Sequence, residues 1–256
     1  MPRRLTVYGH RGAPLELPEN SLASFARALE LGVDAIETDC HMTRDGVVVL
    51  AHDPRGTRTA GCDDEIRDRP WSTVSRWDLG RGFVDARGER SLVGAGHHPP
   101  TFEEALAAFP GARFNVDAKQ EEPNMIPALL RLVRRADACG RVRIASFSQT
   151  NLARVRRAGY EGETALGPHE VVALRVGPRW LAPCVVRGAR AMIPTRQGPV
   201  DLSSRAFIER CHRLGVAVDY WTVDDPTEAR ALFARGADGV VTNDPRALVA
   251  AARAML

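Results

Sequence analysis

Between Ala35 and Asp53 the sequence AIETDCHMTRDGVVVLAHD sets acidic side chains at alternate positions of an otherwise apolar run. Successive side chains of a strand face opposite ways, so Glu37 and Asp39 share one face while Ile36, Thr38 and Cys40 take the other. Two like charges about 4 Å apart repel by roughly 4 kcal/mol at an effective dielectric near 20. A buried pair of carboxylates therefore needs a cation, which a metal or a basic side chain can supply. A second stretch, Arg113-Phe114-Asn115-Val116-Asp117-Ala118-Lys119, puts Asn115, Asp117 and Lys119 on one face by the same alternation. Lys119 is the only lysine among 35 basic residues, and an ammonium is a compact point charge where a guanidinium is a planar fork. His10 and Arg11 follow the strand-like run Leu5-Thr6-Val7-Tyr8-Gly9, and basic side chains so placed attract an anion.

These residues must be positioned by strands. Arg44-Asp45-Gly46 is a turn signal, and Val47-Val48-Val49-Leu50 is a second strand behind it. A hairpin centred between Arg44 and Asp45 pairs Glu37 with His52 and Asp39 with Leu50, which returns His52 to the level of the carboxylates. Upstream, Asn20 or Ser21 can cap a helix with Leu22, Phe25, Ala26 and Leu29 at helical spacing, and Gly32 ends it. Strand, helix and strand make a first β-α-β unit. From 54 to 100 periodicity fails, and Gly, Asp, Arg and Ser are frequent, so this is a long loop excursion held down by Trp71 and Trp77. His97 and His98 read as solvated residues of that excursion. Thr101-Phe102-Glu103-Glu104 is a capping box opening the next helix.

The alternation of helix and strand then runs to the C-terminus, with helices near 124–139 and 149–158, a strand at 142–147 between them, a strand around Thr164-Ala165-Leu166, and strands at 191–194, 216–223 and 239–243. Residues 168–190 fit no element clearly. Counting the 35–53 hairpin as one position gives eight strands, and 256 residues is a typical length for a (β/α)8 TIM barrel, read as one domain over residues 1–256. His10, Arg11 and the carboxylates then fall at the carboxyl ends of strands, where barrel chemistry sits.

At 44% apolar the chain can bury a full core, and its net charge is only +3, from 35 basic and 32 acidic residues. No basic run is interleaved with aromatics, which speaks against nucleic-acid binding. No run reaches the length of a membrane span or the apolar core of a signal peptide, so the expectation is a cytoplasmic protein without stable membrane association. Five cysteines, without a C-x-x-C pair, suggest buried thiols rather than disulfides or a zinc site.

With His10-Arg11-Gly12, Pro18-Glu19-Asn20-Ser21, Glu37-x-Asp39, Thr43-x-Asp45-Gly46, His52-Asp53, Asp117-x-Lys119, Ser146-Phe147, Trp221-Thr222-Val223 and Gly239-Val240-Val241-Thr242-Asn243-x-Pro245 in this order, the chain resembles the glycerophosphodiester phosphodiesterase family over nearly its whole length. The resemblance implies a barrel that hydrolyses glycerophosphodiesters to sn-glycerol 3-phosphate and an alcohol with one divalent cation. It also implies that Glu37, Asp39 and Asp117 are the metal ligands, oxygen donors suited to Mg²⁺ or Ca²⁺. Arg11 and Lys119 correspond to phosphate binders, His10 and His52 to the acid/base pair with His10 as base, and Trp221 to an aromatic at the glycerol end of the cleft. Asp117 departs from the family's usual glutamate and is one methylene shorter.

Two rivals remain. A phospholipase D-like enzyme taking lysophospholipid or sphingomyelin needs an apolar groove, which the polar 54–100 excursion does not offer. A catalytically inactive, phosphodiester-binding barrel is at odds with the presence of both histidines, three carboxylates and the sole lysine. The sequence leaves oligomeric state open.

Overall fold

The computed structural model describes residues 5–178 and 182–255. Parallel strands β1 (Thr6–His10), β2 (Ala35–Met42), β4 (Phe114–Ala118), β5 (Val142–Ala145), β6 (Arg190–Ile193), β7 (Ala217–Tyr220) and β8 (Gly239–Thr242) lie in the order β5-β4-β2-β1-β8-β7-β6, and β3 (Val48–Leu50) pairs antiparallel with β2. Two single bridges close the curl, Ile144 with Thr164 and Ala165 with Arg190. The eighth barrel position expected at 164–166 is thus filled by bridges rather than a ladder. Gly167 and Pro168 follow at once and start the helix Pro168–Val176, which leaves too little extended chain for more pairing.

Helices alternate with the strands and are cut by readable signals. Ser21 caps Leu22–Leu31, accepting from the Ser24 amide, and Gly32 ends it in the left-handed region at φ 94°. Thr101 and Glu104 complete the capping box of Phe102–Ala108. Ser148, Ser204, Asp225 and Asp244 cap later helices. Strand residues facing these helices, including Val7, Ile36, Val116, Ile144 and Val240, form the main apolar core. Within it, Phe114 meets Phe102 and Phe25 edge-on at centroid distances of 5.7 and 6.1 Å.

The alternate strand residues point into the barrel. At its base Tyr8 donates to Asp219 Oδ2 at 3.1 Å, Arg190 Nη2 donates to Asp219 Oδ1 at 2.6 Å, and Arg143 Nη1 donates to the Tyr8 hydroxyl at 3.2 Å. Asp219 is fully buried, so the guanidinium supplies the charge compensation that its desolvation requires.

The hairpin register differs from the expected one. Cys40 faces Leu50, His41 faces Val49 and Met42 faces Val48, so pair numbers sum to 90 rather than 89. The turn is centred on Asp45: Thr43 Oγ1 donates to Asp45 at 2.6 Å, the Val47 amide donates back to Thr43 Oγ1 at 3.0 Å, and Gly46 takes φ 85°. Glu37 therefore does not pair with His52, nor Asp39 with Leu50. Pairing ends at Leu50, after which the Ala51 amide donates to the Asp39 carbonyl at 3.0 Å. The 54–100 excursion carries short helical turns at Thr57–Ala60, Ile66–Asp68, Trp71–Val74 and Leu79–Arg81. It packs down through Ala60, Ile66, Val74 and a buried Trp77, with Trp71 against them, onto Val49. Asp219→Ala, which strands the Arg190 charge in the barrel base, is expected to cost about 3–5 kcal/mol of stability in urea unfolding.

Candidate active site

Register explains why acidic side chains from separate strands meet. His10 is level with Glu37, Glu37 with Asn115, and Asp39 with Asp117, all on inward-facing positions of β1, β2 and β4. Asp39, Asn115 and Asp117 are buried. Lys119 Nζ sits between two of the carboxylates, 2.9 Å from Asp39 Oδ1 and 2.6 Å from Asp117 Oδ2. Arg11 Nε lies 3.3 Å from Asp39 Oδ2.

The ammonium leaves a pattern of unsatisfied oxygens. Each aspartate gives one oxygen to Lys119, while Asp39 Oδ2, Asp117 Oδ1, Glu37 Oε2 and Asn115 Oδ1 are buried without a hydrogen-bond partner. Buried oxygens of this kind are costly when unpaired. Burial, then the charges of Asp39 and Asp117, push the Glu37 carboxyl well above the usual carboxylate range. Burial likewise raises Asp117 against the opposing pull of Lys119. Burial works against the Lys119 charge, but Asp117 and Asp39 outweigh it and raise its pKa. Among the described residues no three acidic, imidazole or thiol groups enclose an ion as they stand. The donor set nevertheless fits a hard cation: three carboxylate oxygens and an amide oxygen, without hydrogen-bond partners and drawn from adjacent strands.

Arg11 owes its place to a tight turn after β1. It adopts φ 56°, Gly12 follows at φ 96°, and a Cβ on Gly12 would stand 2.3 Å from Ser24 Oγ. The Arg11 amide donates to the Glu37 carbonyl at 2.8 Å, and the Asn20 amide donates to the Arg11 carbonyl at 2.9 Å. In the Pro18-Glu19-Asn20-Ser21 run, Glu19 accepts from Arg11 Nη1 at 3.0 Å and Asn20 accepts from Thr38 Oγ1 at 2.7 Å.

The two imidazoles are held by different partners. His10 Nδ1 is 2.7 Å from Asn243 Oδ1, whose amide nitrogen donates to Asp224 Oδ2 at 2.9 Å. That second bond turns the Asn243 oxygen toward His10, so Nδ1 carries the proton and the Nε2 lone pair, 3.9 Å from Glu37 Oε2, is left in the cavity. Burial and the Arg11 guanidinium pull His10 below the usual histidine range. His52 Nδ1 is 2.7 Å from Asp53 Oδ1, a carboxylate rather than an amide. His41 Nε2 donates to the His52 carbonyl at 3.1 Å and anchors that residue's backbone after the ladder has ended.

His10, Arg11, Glu37, Asp39, His52, Asp117, Lys119 and Trp221 thus line one cavity of about 420 Å³. Its opposite wall is apolar, made by Leu166, Val171, Val172, Met192, Ile193 and Leu202. At the mouth Phe147 meets Trp221 edge-on with centroids 5.8 Å apart, and Lys119 Nζ lies 5.2 Å from the Phe147 ring centre. Asn115, Asp53, Asn243 and Asp224 support the site, and sequence reasoning assigned none of them a part. The adjacency of Asp53 to His52 and the alternation of Asn115 with Asp117 are the signals that could have found two of them. Lys119→Met, measured in the presence of chelator, is expected to lower stability by about 3–5 kcal/mol, because it leaves two facing buried carboxylates without their ammonium.

The chain is similar to known proteins along most of its length. It is 32% identical over 242 residues to a Mycobacterium tuberculosis protein named "Probable glycerophosphodiester phosphodiesterase 2", covering 91% of this chain and 85% of that one. It is 28% identical to a glycerophosphodiester phosphodiesterase of Caldanaerobacter subterraneus subsp. tengcongensis, covering 95% and 96%. Its fold matches a solved Oleispira antarctica phosphodiesterase, in complex with the product sn-glycerol-3-phosphate, with a TM-score of 0.79 at 21% identity, covering 97% and 96%. The profile of the glycerophosphoryl diester phosphodiesterase family matches residues 10–247, and the chain belongs to that family of phosphoric diester hydrolases.

Proposed function

We propose that the protein hydrolyses glycerophosphodiesters to sn-glycerol 3-phosphate and an alcohol, with His10 and His52 moving the protons. The observation that carries this reading is the convergence, in one cavity, of two imidazoles held by unlike partners with four buried oxygens that lack hydrogen-bond partners and with two cationic side chains. The product named for the Oleispira antarctica relative agrees with it.

A phosphodiester carries one negative charge that must be neutralised as a further oxygen approaches phosphorus. Arg11 offers guanidinium N–H groups, and Lys119 has one ammonium proton beyond the two engaged by Asp39 and Asp117. Glu37, Asp39 and Asp117 would hold one divalent cation, Mg²⁺ or Ca²⁺, with Asn115 Oδ1 beside them. When bound, such an ion adds positive charge beside the phosphoryl oxygens. His10, kept neutral by burial and by Arg11, takes the proton of the attacking oxygen on Nε2. That oxygen belongs to water or to the neighbouring glycerol hydroxyl. His52, oriented by the 2.7 Å contact of its Nδ1 with Asp53 Oδ1, gives its Nε2 proton to the departing alkoxide.

The apolar wall favours a second reading. Phe147 (64% exposed), Val172 (58%) and Val176 (74%) continue that wall onto the surface, along the helix Pro168–Val176 rather than the 54–100 excursion. A glycerol hydroxyl turned toward this wall would lose hydration without gaining a partner, whereas a single acyl chain would not. Lysophospholipid is the substrate this wall would suit.

Release of sn-glycerol 3-phosphate from glycerophosphocholine is expected to stop in EDTA and to return with Mg²⁺ or Ca²⁺; full activity in chelator would remove the metal from the reading. His52→Ala is expected to lower kcat by at least about 100-fold with an unchanged circular dichroism spectrum. A higher kcat/KM for choline release from lysophosphatidylcholine than from glycerophosphocholine would put the second reading first.

A further inference from the structure

One side chain of the 54–100 excursion reaches back to both halves of the site. Arg58 lies on the helical turn Thr57–Ala60. Its Nη1 and Nη2 donate to Glu19 Oε2 and Oε1, each at 2.7 Å, and its Nε donates to Asp53 Oδ2 at 2.6 Å. Neither carboxylate ends there. Glu19 Oε1 also accepts from Arg11 Nη1 at 3.0 Å, and Asp53 Oδ1 faces His52 Nδ1 at 2.7 Å. The result is an unbroken chain of charge-assisted contacts: Arg11, Glu19, Arg58, Asp53, His52.

We propose that Arg58 is a positioning residue, which fixes the guanidinium of Arg11 and the imidazole of His52 relative to each other through Glu19 and Asp53. This rests on the roles given above to Arg11 and His52. Those two residues come from different elements, one from the turn after β1 and the other from the chain beyond β3. Glu19 and Asp53 are both anionic and would separate if nothing lay between them. A guanidinium presents donors on three nitrogens in one plane, so it can grip one carboxylate with a fork and a second with its remaining edge. A lysine ammonium carries the same charge without that plane.

The network is placed to orient rather than to stabilise. The Arg58 side chain is 49% exposed, and ion pairs this open to water add little to global stability. Burial works against ionisation of Glu19, but the hydrogen bonds and charges of Arg58 and Arg11 hold it below the usual glutamate range. Asp53 is likewise held low by His52 and Arg58 against its own burial. Both carboxylates are therefore anionic acceptors, each already aimed by Arg58 when a phosphodiester arrives.

The test compares wild type, Arg58→Ala and Arg58→Lys in hydrolysis of glycerophosphocholine, with melting temperature followed in parallel. Arg58→Ala is expected to lose about 10- to 100-fold in kcat, the scale of a small misplacement of reacting groups, with a nearly unchanged melting temperature. Millimolar guanidinium ion is expected to restore part of that loss, and Arg58→Lys little of it. A kcat within twofold of wild type in either variant would overturn the proposal, as would a loss that tracks the melting temperature and ignores guanidinium. A readout independent of turnover is the His52 imidazole in histidine-¹⁵N-labelled protein, assigned with His52→Ala. At a pH where His52 is neutral, the Nδ1–H tautomer is expected to dominate in wild type and to give way to a mixture in Arg58→Ala. If wild type releases no product, the hydrolysis reading fails by itself, and the tautomer still decides: a mixture upholds the coupling, and an unchanged imidazole overturns it.

Discussion

Asp39 and Asp117 stand directly across from each other on neighbouring strands, nearly fully buried, with one ammonium lying between them. At an effective dielectric near 20 two such charges repel by roughly 4 kcal/mol, comparable to the attraction that each gains from a cation at similar range. The top of the barrel is organised around this balance. The lone lysine closes the strand that carries Asp117, Arg11 is turned back on Asp39 through a left-handed residue, and burial, with the charges of Asp39 and Asp117, pushes Glu37 up. The three carboxyl groups thus face two cationic side chains, Lys119 and Arg11.

The two histidines of the cavity are held by unlike partners. Both have Nδ1 tied up and Nε2 free for the cavity, so geometry alone would make them equivalent. What differs is the charge of the tether. Asn243, itself oriented by Asp224, offers His10 a neutral oxygen, whereas Asp53 offers His52 an anionic one. Burial and the Arg11 guanidinium hold His10 below the usual histidine range, and its tether adds no charge to oppose them.

Much of this was legible from local pattern. Period-two alternation is set by the backbone, so Glu37, Asp39, Asn115, Asp117 and Lys119 could be placed on inward faces before any pairing was known. Capping boxes and glycine stops placed most helices for the same reason, since the groups involved lie within a few residues of each other. The failures are of longer range. A left-handed Gly46 added one residue to the β2–β3 turn and shifted the hairpin register. The helix Pro168–Val176 runs through HEVVALRV, whose apolar residues form no stripe because one side faces the core and another lines the cavity. Sequence attention therefore fell on the polar excursion when the apolar wall lay elsewhere. Arg58 gave no signal, because its meaning depends on Glu19, 39 positions away.

The ion-paired floor of the barrel bears on traffic. Tyr8, Arg143, Arg190 and Asp219 fill the cross-section below the catalytic cavity, and the hollow beneath them, bounded by Arg113, Arg141 and Glu163, opens at the opposite end. The floor separates that hollow from the cavity above, where Phe147 and Trp221 meet. A phosphodiester therefore has no passage through the length of the barrel, and must enter and leave on the side where the parallel strands end.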